Sequence, residues 1–166
     1  TSSAVFTAPG AFIRQFGASE KELKDKPGSL RLNTPKAVAV DRGGDVFIAD
    51  TNNGRVLKLS ATGQILLELG RKEADGKGEV QFKNGKDLGE FNKPSGLALD
   101  LSGNIYVSDT NNHRVQKIGP EGNFLLAFTL PEAPDEPGEE EEDEELDEPE
   151  LGEPGGIALD LAGNIY

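Results

Sequence analysis

Short runs of apolar residues, separated by turn-forming residues, extend along most of the chain. Ala37–Val40 and Arg55–Leu59 are examples, and residues 64–69 alternate between polar and apolar side chains. Runs of this length and period are typical of β-strands, and no stretch shows the 3.6-residue period of an amphipathic helix. The pattern therefore predicts an all-β protein.

The chain repeats itself with a period of 59 residues. Residues 35–70 align with residues 94–129 without a gap, and 14 of the 36 positions are identical. A third copy, residues 154–166, matches the start of the second at 10 of 13 positions, and residues 10–17 resemble the end of the repeat. Self-similarity at a fixed period indicates a repeat architecture.

Each full repeat is predicted to contain four strands. They cover residues 37–40, 46–49, 55–59 and 64–69 in the first copy, and 97–99, 105–108, 114–118 and 123–128 in the second. Four antiparallel strands joined by short turns form a meander, and a regular series of meanders predicts the blades of a β-propeller. The first strand of each copy combines small and branched apolar residues, so we expect it to be innermost and buried on both faces.

The segment from Pro94 to Lys117 resembles the NHL repeat. It reads Pro-x-Gly-Leu-Ala-Leu-Asp-x-x-Gly-Asn-Ile-Tyr-Val-x-Asp-Thr-Asn-Asn-His-Arg-Val-x-Lys, and the first copy fits with Gly54 in place of His113. The resemblance implies a β-propeller, commonly six-bladed, in which an N-terminal segment supplies the outer strand of the last blade. Residues 10–17 match that closing strand.

The predicted strands are too few to close such a ring. We therefore predict one partial propeller, which consists of the closing strand, blade repeats 35–70 and 94–129, an acidic inserted segment at 130–153, and the start of a third blade at 154–166. Continuation of the chain past Tyr166 is the favoured way to complete the ring, and self-association of two copies is the alternative.

The negative charge is concentrated in one segment. Residues 132–153 contain eleven Glu, three Asp and no Lys or Arg. Removing these 14 acids from the 30 in the chain leaves 16, against 17 Lys and Arg, so the remainder is close to neutral. The segment is interpreted as a solvated, self-repelling loop or as a docking strip for a basic partner or for divalent cations.

The candidate binding residues lie on one predicted face. The long connections 18–34, 71–93 and 131–153 emerge on the same side as the two Asp-Thr-Asn-Asn turns, and long loops on a rigid scaffold are the usual place for recognition, although tolerated surface decoration is the alternative. The candidates are Asn52, Asn53, Asn111, Asn112, His113, Glu139, Glu140, Glu141, Glu142, Asp143, Glu144 and Glu145.

Other polar residues recur at equal spacing and are expected to be structural. Asp50, Asn53 and Arg55 return as Asp109, Asn112 and Arg114, and an Asp ends the first strand of every copy at positions 41, 100 and 160. Catalytic groups need not recur in each blade, whereas groups that hold a blade together must. His113 interrupts the repeat, but a polar histidine in a turn usually faces solvent.

Composition excludes several kinds of site. Without Cys there are no disulfides, thiolate metal sites or Cys nucleophiles, and a single His excludes a multi-histidine centre within one chain. We predict no cofactor, no nucleic-acid partner because there is no excess of basic charge, and no membrane span. The absent Met and the polar start Thr1-Ser2-Ser3 favour an extracellular or periplasmic chain, with a cytoplasmic chain as the alternative.

NHL-like propellers commonly serve as protein-interaction modules, and the resemblance therefore implies a non-enzymatic role that uses the face with the long loops. Some similar propellers are metal-dependent lyases or lactonases with the metal in the central channel. The alternative is therefore a fragment of such an enzyme whose ligands lie in blades outside this sequence.

Overall fold

The computed structural model describes residues 30–76, 80–129 and 153–166 in full, and residues 3–6 and 12–16 as backbone strands. Eleven strands and two short 3₁₀ turns occur in this part of the chain, and none of its residues lies in an α-helix. The all-β prediction is confirmed.

The first repeat folds as an antiparallel sheet in chain order. Its strands are β3 (Ala37–Val40), β4 (Val46–Asp50), β5 (Arg55–Leu59) and β6 (Ile65–Ala74). A 3₁₀ turn, Thr51–Asn53, joins β4 to β5. This is the meander that the alternating pattern predicts.

A further strand, β7 (Val80–Lys83), pairs with the second half of β6. The sequence prediction treated residues 71–93 as a connecting loop and ended the fourth strand at residue 69, and both expectations were wrong here. Val80 and Phe82 alternate with Gln81 and Lys83, which is the pattern of a strand.

The second repeat forms a four-stranded sheet of the same topology. Its strands are β8 (Pro94–Leu99), β9 (Ile105–Asp109), β10 (Arg114–Ile118) and β11 (Phe124–Thr129), with a 3₁₀ turn at Thr110–Asn112 between β9 and β10. The third copy, predicted as two strands, has only the bridge between Leu159 and Ile165. A two-stranded ladder with no third strand beside it has few hydrogen bonds to define it.

The N-terminal strand β2 (Phe12–Phe16) pairs with β1 (Ser3–Phe6), which the sequence analysis did not predict. The predicted strand within residues 10–17 is therefore present. Its role in closing a ring stays a prediction.

The two blades pack face to face. Phe47, Ala49 and Val56 of the first blade form one buried cluster with residues of the second, namely Leu97, Ile105, Val107 and Ile118. Phe91, from the connection between the blades, is fully buried in this cluster. Apolar burial between blades is the main term that holds them together.

The inner strands of the two blades differ in burial. Leu97 in β8 is buried, as predicted, because it packs against the first blade. Val38 occupies the equivalent position in β3 and is 57% exposed, so the expectation of burial on both faces was wrong for β3. The physical reason is that no described blade covers the side of β3 that faces away from the second blade.

Candidate binding surface

The loop face is the side of the blades that carries the inter-blade connections and the two 3₁₀ turns. Each 3₁₀ turn is joined to the connection that enters its own blade by a backbone hydrogen bond. The Asn52 backbone N–H donates to the Asn33 backbone carbonyl at 3.0 Å, and the Asn111 backbone N–H donates to the Asn92 backbone carbonyl at 3.1 Å. These contacts place the described ends of the first two connections on the same side as the turns, and most of the connection 131–153 lies outside the described residues.

A buried aspartate organises each turn. Asp50 is fully buried. Its carboxylate accepts hydrogen bonds from the Asn33 backbone N–H, from Asn53 Nδ2 at 2.8 Å and from Arg55 Nε at 2.7 Å. A buried charge is tolerated only when it is paired and hydrogen-bonded in this way. The recurring residues therefore hold the blade together.

Asp109 plays the same part in the second blade. Its carboxylate accepts hydrogen bonds from the Asn92 backbone N–H, Asn112 Nδ2 and Arg114 Nε, and also from Gln116 Nε2 at 2.9 Å. Gln116 is fully buried and further donates to the Glu90 carbonyl at 2.7 Å. The sequence analysis missed Gln116, although a polar residue where the first repeat has Leu57 was the signal.

A threonine hydroxyl joins each blade to the next copy. Thr51 Oγ1 donates to the Pro94 carbonyl at 2.7 Å, and Thr110 Oγ1 donates to the Pro154 carbonyl at 2.8 Å. The two bonds are equivalent in the repeat. They fix the first residue of one inner strand against the turn of the preceding blade.

The structure places the five described candidate residues on the loop face. Asn53 and Asn112 donate to the buried aspartates, while Asn52 and Asn111 are exposed at the turns. Asn52 also accepts from Lys93 Nζ at 2.7 Å, a contact between neighbouring blades. A binding role for these asparagines stays a prediction.

His113 ends the second 3₁₀ turn in the left-handed region, with φ 51°, and its amide donates to the Thr110 carbonyl. Gly54 has the same conformation in the first blade, with φ 60°. A Cβ on Gly54 would lie 2.6 Å from Asn84 Oδ1, at the end of β7, so the added strand leaves no room there for a side chain. The seven acidic candidates, residues 139–145, lie outside the described residues.

The β6–β7 hairpin is the largest described addition to the loop face. Its two strands pair over Arg71–Ala74 and Val80–Lys83. Phe82 lies between two cations, with Arg55 Cζ 5.1 Å and Lys72 Nζ 5.0 Å from the ring centroid. Such contacts contribute about 0.5–1 kcal/mol each at exposed sites and fix the hairpin to the blade.

Beyond the hairpin, the connection returns to the second blade and exposes two apolar side chains. Val80 is 65% exposed and Leu88 is 59% exposed, whereas Phe91 shortly after them is buried. The Gly89 amide donates to Gln116 Oε1 at 2.9 Å and the Gly85 amide donates to the Phe91 carbonyl. The connection is thus fixed to the blade at several points while part of its apolar surface faces outward.

An open cleft of about 500 Å³ lies on the loop face near the inner strands. Its lining includes Lys36, Ser95 and Gly155, which are equivalent positions of the three copies, together with Thr110, Glu153 and Gly156. Because this repeat position is Lys, Ser and Gly in the three copies, the lining combines a positive charge, a hydroxyl group and a residue without a side chain. Ser95 Oγ shares a hydrogen bond with Thr110 Oγ1 at 2.6 Å.

The described residues contain no group of three or more His, Cys, Asp and Glu side chains arranged to hold a metal ion. Within the same residues, no helix is long and apolar enough to cross a membrane.

Comparisons with known proteins agree with the resemblance seen in the sequence. Residues 32–59 and 91–118 match the family model described as NHL repeat. NHL repeat-containing protein 2 of Gallus gallus is 36% identical over 102 residues, which are 61% of this chain and 13% of that protein. A probable peptidyl-alpha-hydroxyglycine alpha-amidating lyase of Caenorhabditis elegans is 28% identical over 122 residues, or 72% of this chain and 32% of that protein.

Among solved structures, a streptogramin B lyase superposes with a TM-score of 0.58 at 16% identity, over 99% of this chain and 40% of that one. At this identity the likeness shows the fold alone, and it confirms the predicted partial β-propeller. The chain spans about a third or less of the length of both curated relatives named above.

Proposed function

Because the chain belongs to the NHL-repeat family and its repeats form propeller blades, we propose that it is a non-enzymatic interaction module or scaffold that binds a partner protein through the loop face. The observation that most directly supports this proposal is the β6–β7 hairpin. An ordered insertion on one side of a rigid scaffold is the arrangement that recognition loops commonly have.

The chemistry of this face suits a protein partner. Val80 and Leu88 offer exposed apolar area, and exposed charged side chains of both signs, including Lys83, Lys86 and Asp87, are close to them in the sequence. Protein interfaces combine an apolar centre with a polar rim in the same way. Because the turn asparagines and Arg55 are tied to buried groups, the face is held ready for binding without large rearrangement.

The test compares three forms of the protein as bait in a cross-linking capture experiment. Val80→Asp with Leu88→Asp alters the loop face, and Ile65→Asp with Leu125→Asp is the matched control, since those side chains are 49% and 43% exposed on outer strands. We expect one partner to be captured by the wild type and the control and lost with the loop-face variant. Equal capture by all three forms, or no partner at all, contradicts the proposal.

An enzymatic role is the second candidate, because the similarity to the amidating lyase covers 72% of the chain. In that case the catalytic groups lie outside the described residues. Incubation of the protein with a peptidyl-α-hydroxyglycine, with and without added zinc or calcium, distinguishes the two candidates. Turnover above the protein-free blank would contradict the non-enzymatic proposal.

The acidic segment 130–153 is proposed as a second contact for a basic partner. Opposite charges in solvent are screened within about 10 Å at 0.1 M salt, so such a contact must weaken as salt is added. Replacement of residues 139–145 by Gly and Ser should remove the salt dependence of binding to the captured partner. Binding that is insensitive to salt in the wild type would contradict this contact.

A further inference from the structure

Exposed leucines stand at the tips of two tight turns on the side opposite the loop face. This tight-turn face is formed by residues 41–45, 100–104 and 160–164, which join the first and second strands. Leu101 is 60% exposed and Leu161 is 88% exposed, and Arg42 has the equivalent position in the first blade. Turn tips normally carry polar residues, so two apolar ones require a reason.

Leu101 is exposed although the second blade has packing contacts on both sides. The second blade packs against the first on one side, through Leu97 and Ile105, and against Ile157 and Leu159 of the third copy on the other. Leu101 thus lies outside the contacts that the second blade makes with the first blade and with the described part of the third copy.

A shallow cleft lies between the first two of these turns. Its volume is about 340 Å³, and its apolar lining comes from Val40, Leu99 and Leu101. Val40 lies on the same side of β3 as Val38, so its 61% exposure reflects the uncovered side of the first blade, and Leu101 supplies the exposed apolar surface of the cleft. Arg42 lies on the rim of the same cleft.

Three basic side chains lie at or beside the cleft, and two of them, Lys58 and Lys117, pair with aspartates. Lys58 Nζ lies 3.5 Å from Asp41 and 3.1 Å from Asp45, and Lys117 Nζ lies 3.5 Å from Asp100. Among the described residues, no carboxylate lies within 4 Å of the Arg42 guanidinium. An apolar surface beside a positive group is complementary to an apolar side chain next to a negative one.

We propose that this cleft binds an extended peptide segment of a partner protein, in which an apolar side chain contacts Leu99 and Leu101 and a neighbouring Asp or Glu pairs with Arg42. The site is separate from the loop face and allows the protein to hold two partners at once. The aspartates of the cleft do not repel the ligand strongly, because turn amides and the two lysines already neutralise them.

Fluorescence anisotropy with a defined probe tests the proposal on the intact protein. The probe is the fluorescein-labelled, C-terminally amidated peptide Gly-Ser-Leu-Phe-Glu-Ser-Gly, and a second probe has Gln in place of Glu. We expect the wild type to bind the Glu probe about threefold more tightly than the Gln probe, which corresponds to one exposed ion pair. Arg42→Gln should abolish this preference.

Leu101→Ser should weaken binding of the Glu probe about tenfold, the loss expected for an apolar side chain that is buried in the complex. Leu66→Ser is the matched control, because Leu66 is 51% exposed but lies on the outer strand of the first blade, away from the cleft, and it should leave binding unchanged. Urea unfolding of each variant confirms that the fold is retained.

Several results would overturn the proposal. They are no binding of the Glu probe by the wild type, an equal effect of Leu66→Ser and Leu101→Ser, and equal affinity of the wild type for both probes. Dimerisation of the wild type that Leu101→Ser abolishes would assign the cleft to a second copy of the chain and would also overturn it.

Discussion

At the scale of single residues, the positions at which the two repeats differ show where the two blades have different surroundings. Gly54 and His113 share a left-handed backbone, yet only His113 has room for a side chain, because the end of β7 lies against Gly54. Gly70 is constrained by the turn itself, since its φ is 132° and a Cβ there would lie 2.6 Å from the Gly54 carbonyl. The added strand thus explains the divergence at Gly54, and the turn explains the constraint at Gly70.

Exchanging the residues at this position should have unequal effects. We expect Gly54→His to lower the free energy of unfolding by roughly 2–4 kcal/mol, through left-handed strain and a clash with β7. His113→Gly should change it by about 1 kcal/mol or less, since Gly accepts this conformation. Urea unfolding of both variants checks the contrast, and equal losses would contradict it.

The buried aspartates permit a second prediction. Asp109→Asn leaves Arg114 without its charged partner, and breaking a buried pair costs about 3–5 kcal/mol of unfolding free energy. Lys72→Gln is the control, because it removes an exposed pair with Glu68 that contributes about 1 kcal/mol or less. Similar losses in the two variants, measured by chemical denaturation, would show that Asp109 does not organise the turn.

At the scale of elements, the tight turns depend on ionised aspartates. Partial burial alone would raise the pKa of the Asp100 carboxyl, but hydrogen bonds from Asn104 and Ser102 and the charge of Lys117 outweigh it, so this pKa lies below its ordinary value. The pKa of Asp41 is lowered in the same manner by the Asp45 amide and Lys58, against the effect of burial.

A carboxyl whose pKa is lower in the folded state stabilises the fold above its ordinary pKa near 3.8, and this contribution is lost as the pH falls through the folded value. Asp100→Asn should therefore be less stable than the wild type at pH 7, and the difference should shrink below about pH 4. Urea unfolding at a series of pH values measures it. A difference that is constant from pH 7 to pH 2 would disprove the role of the charge.

The β6–β7 hairpin should open independently of the blade. Phe82→Ala removes the ring that Arg55 and Lys72 contact, and exchange of the amides of Val80–Lys83 should become about tenfold faster. Gln81→Ala, on the opposite side of the same strand, is the control and should have little effect. Equal acceleration in β4 would mean that the ring stabilises the whole blade.

Much at this scale was predictable from the sequence, because the same pattern of strands and turns occurs in both full repeats. The limits arose where the copies differ. β7 was missed because residues 71–93 have no counterpart of similar composition in the other connections, and Gln116 was missed because its partners, Glu90 and Asp109, come together only in the folded blade. Pairing with β1 likewise depends on contacts that no repeat encodes.

At the scale of the whole molecule, the outer blade faces differ in how they are covered. A Cβ on Gly122 of the second blade would lie 2.9 Å from the Leu69 side chain and 3.1 Å from that of Leu67, so this turn covers the outer strand of the first blade. Leu126 and Phe128 are the equivalent residues of the second blade and are each 39% exposed. The second blade therefore presents an uncovered apolar surface.

The 166-residue chain should self-associate through this surface, since burial of exposed apolar area is favourable. Leu126→Asp with Phe128→Asp should reduce the association measured by sedimentation velocity by about tenfold. Leu66→Asp, at an exposed position of the first blade's outer strand, is the control. A monomeric wild type at all concentrations would contradict the prediction.

The threonine bond from each turn to the next proline carbonyl has an evolutionary consequence. Because the donor belongs to one copy and the acceptor to its successor, duplication or deletion of a whole period creates no orphaned group at the joint. A change in the number of blades would therefore leave this bond between neighbouring copies intact.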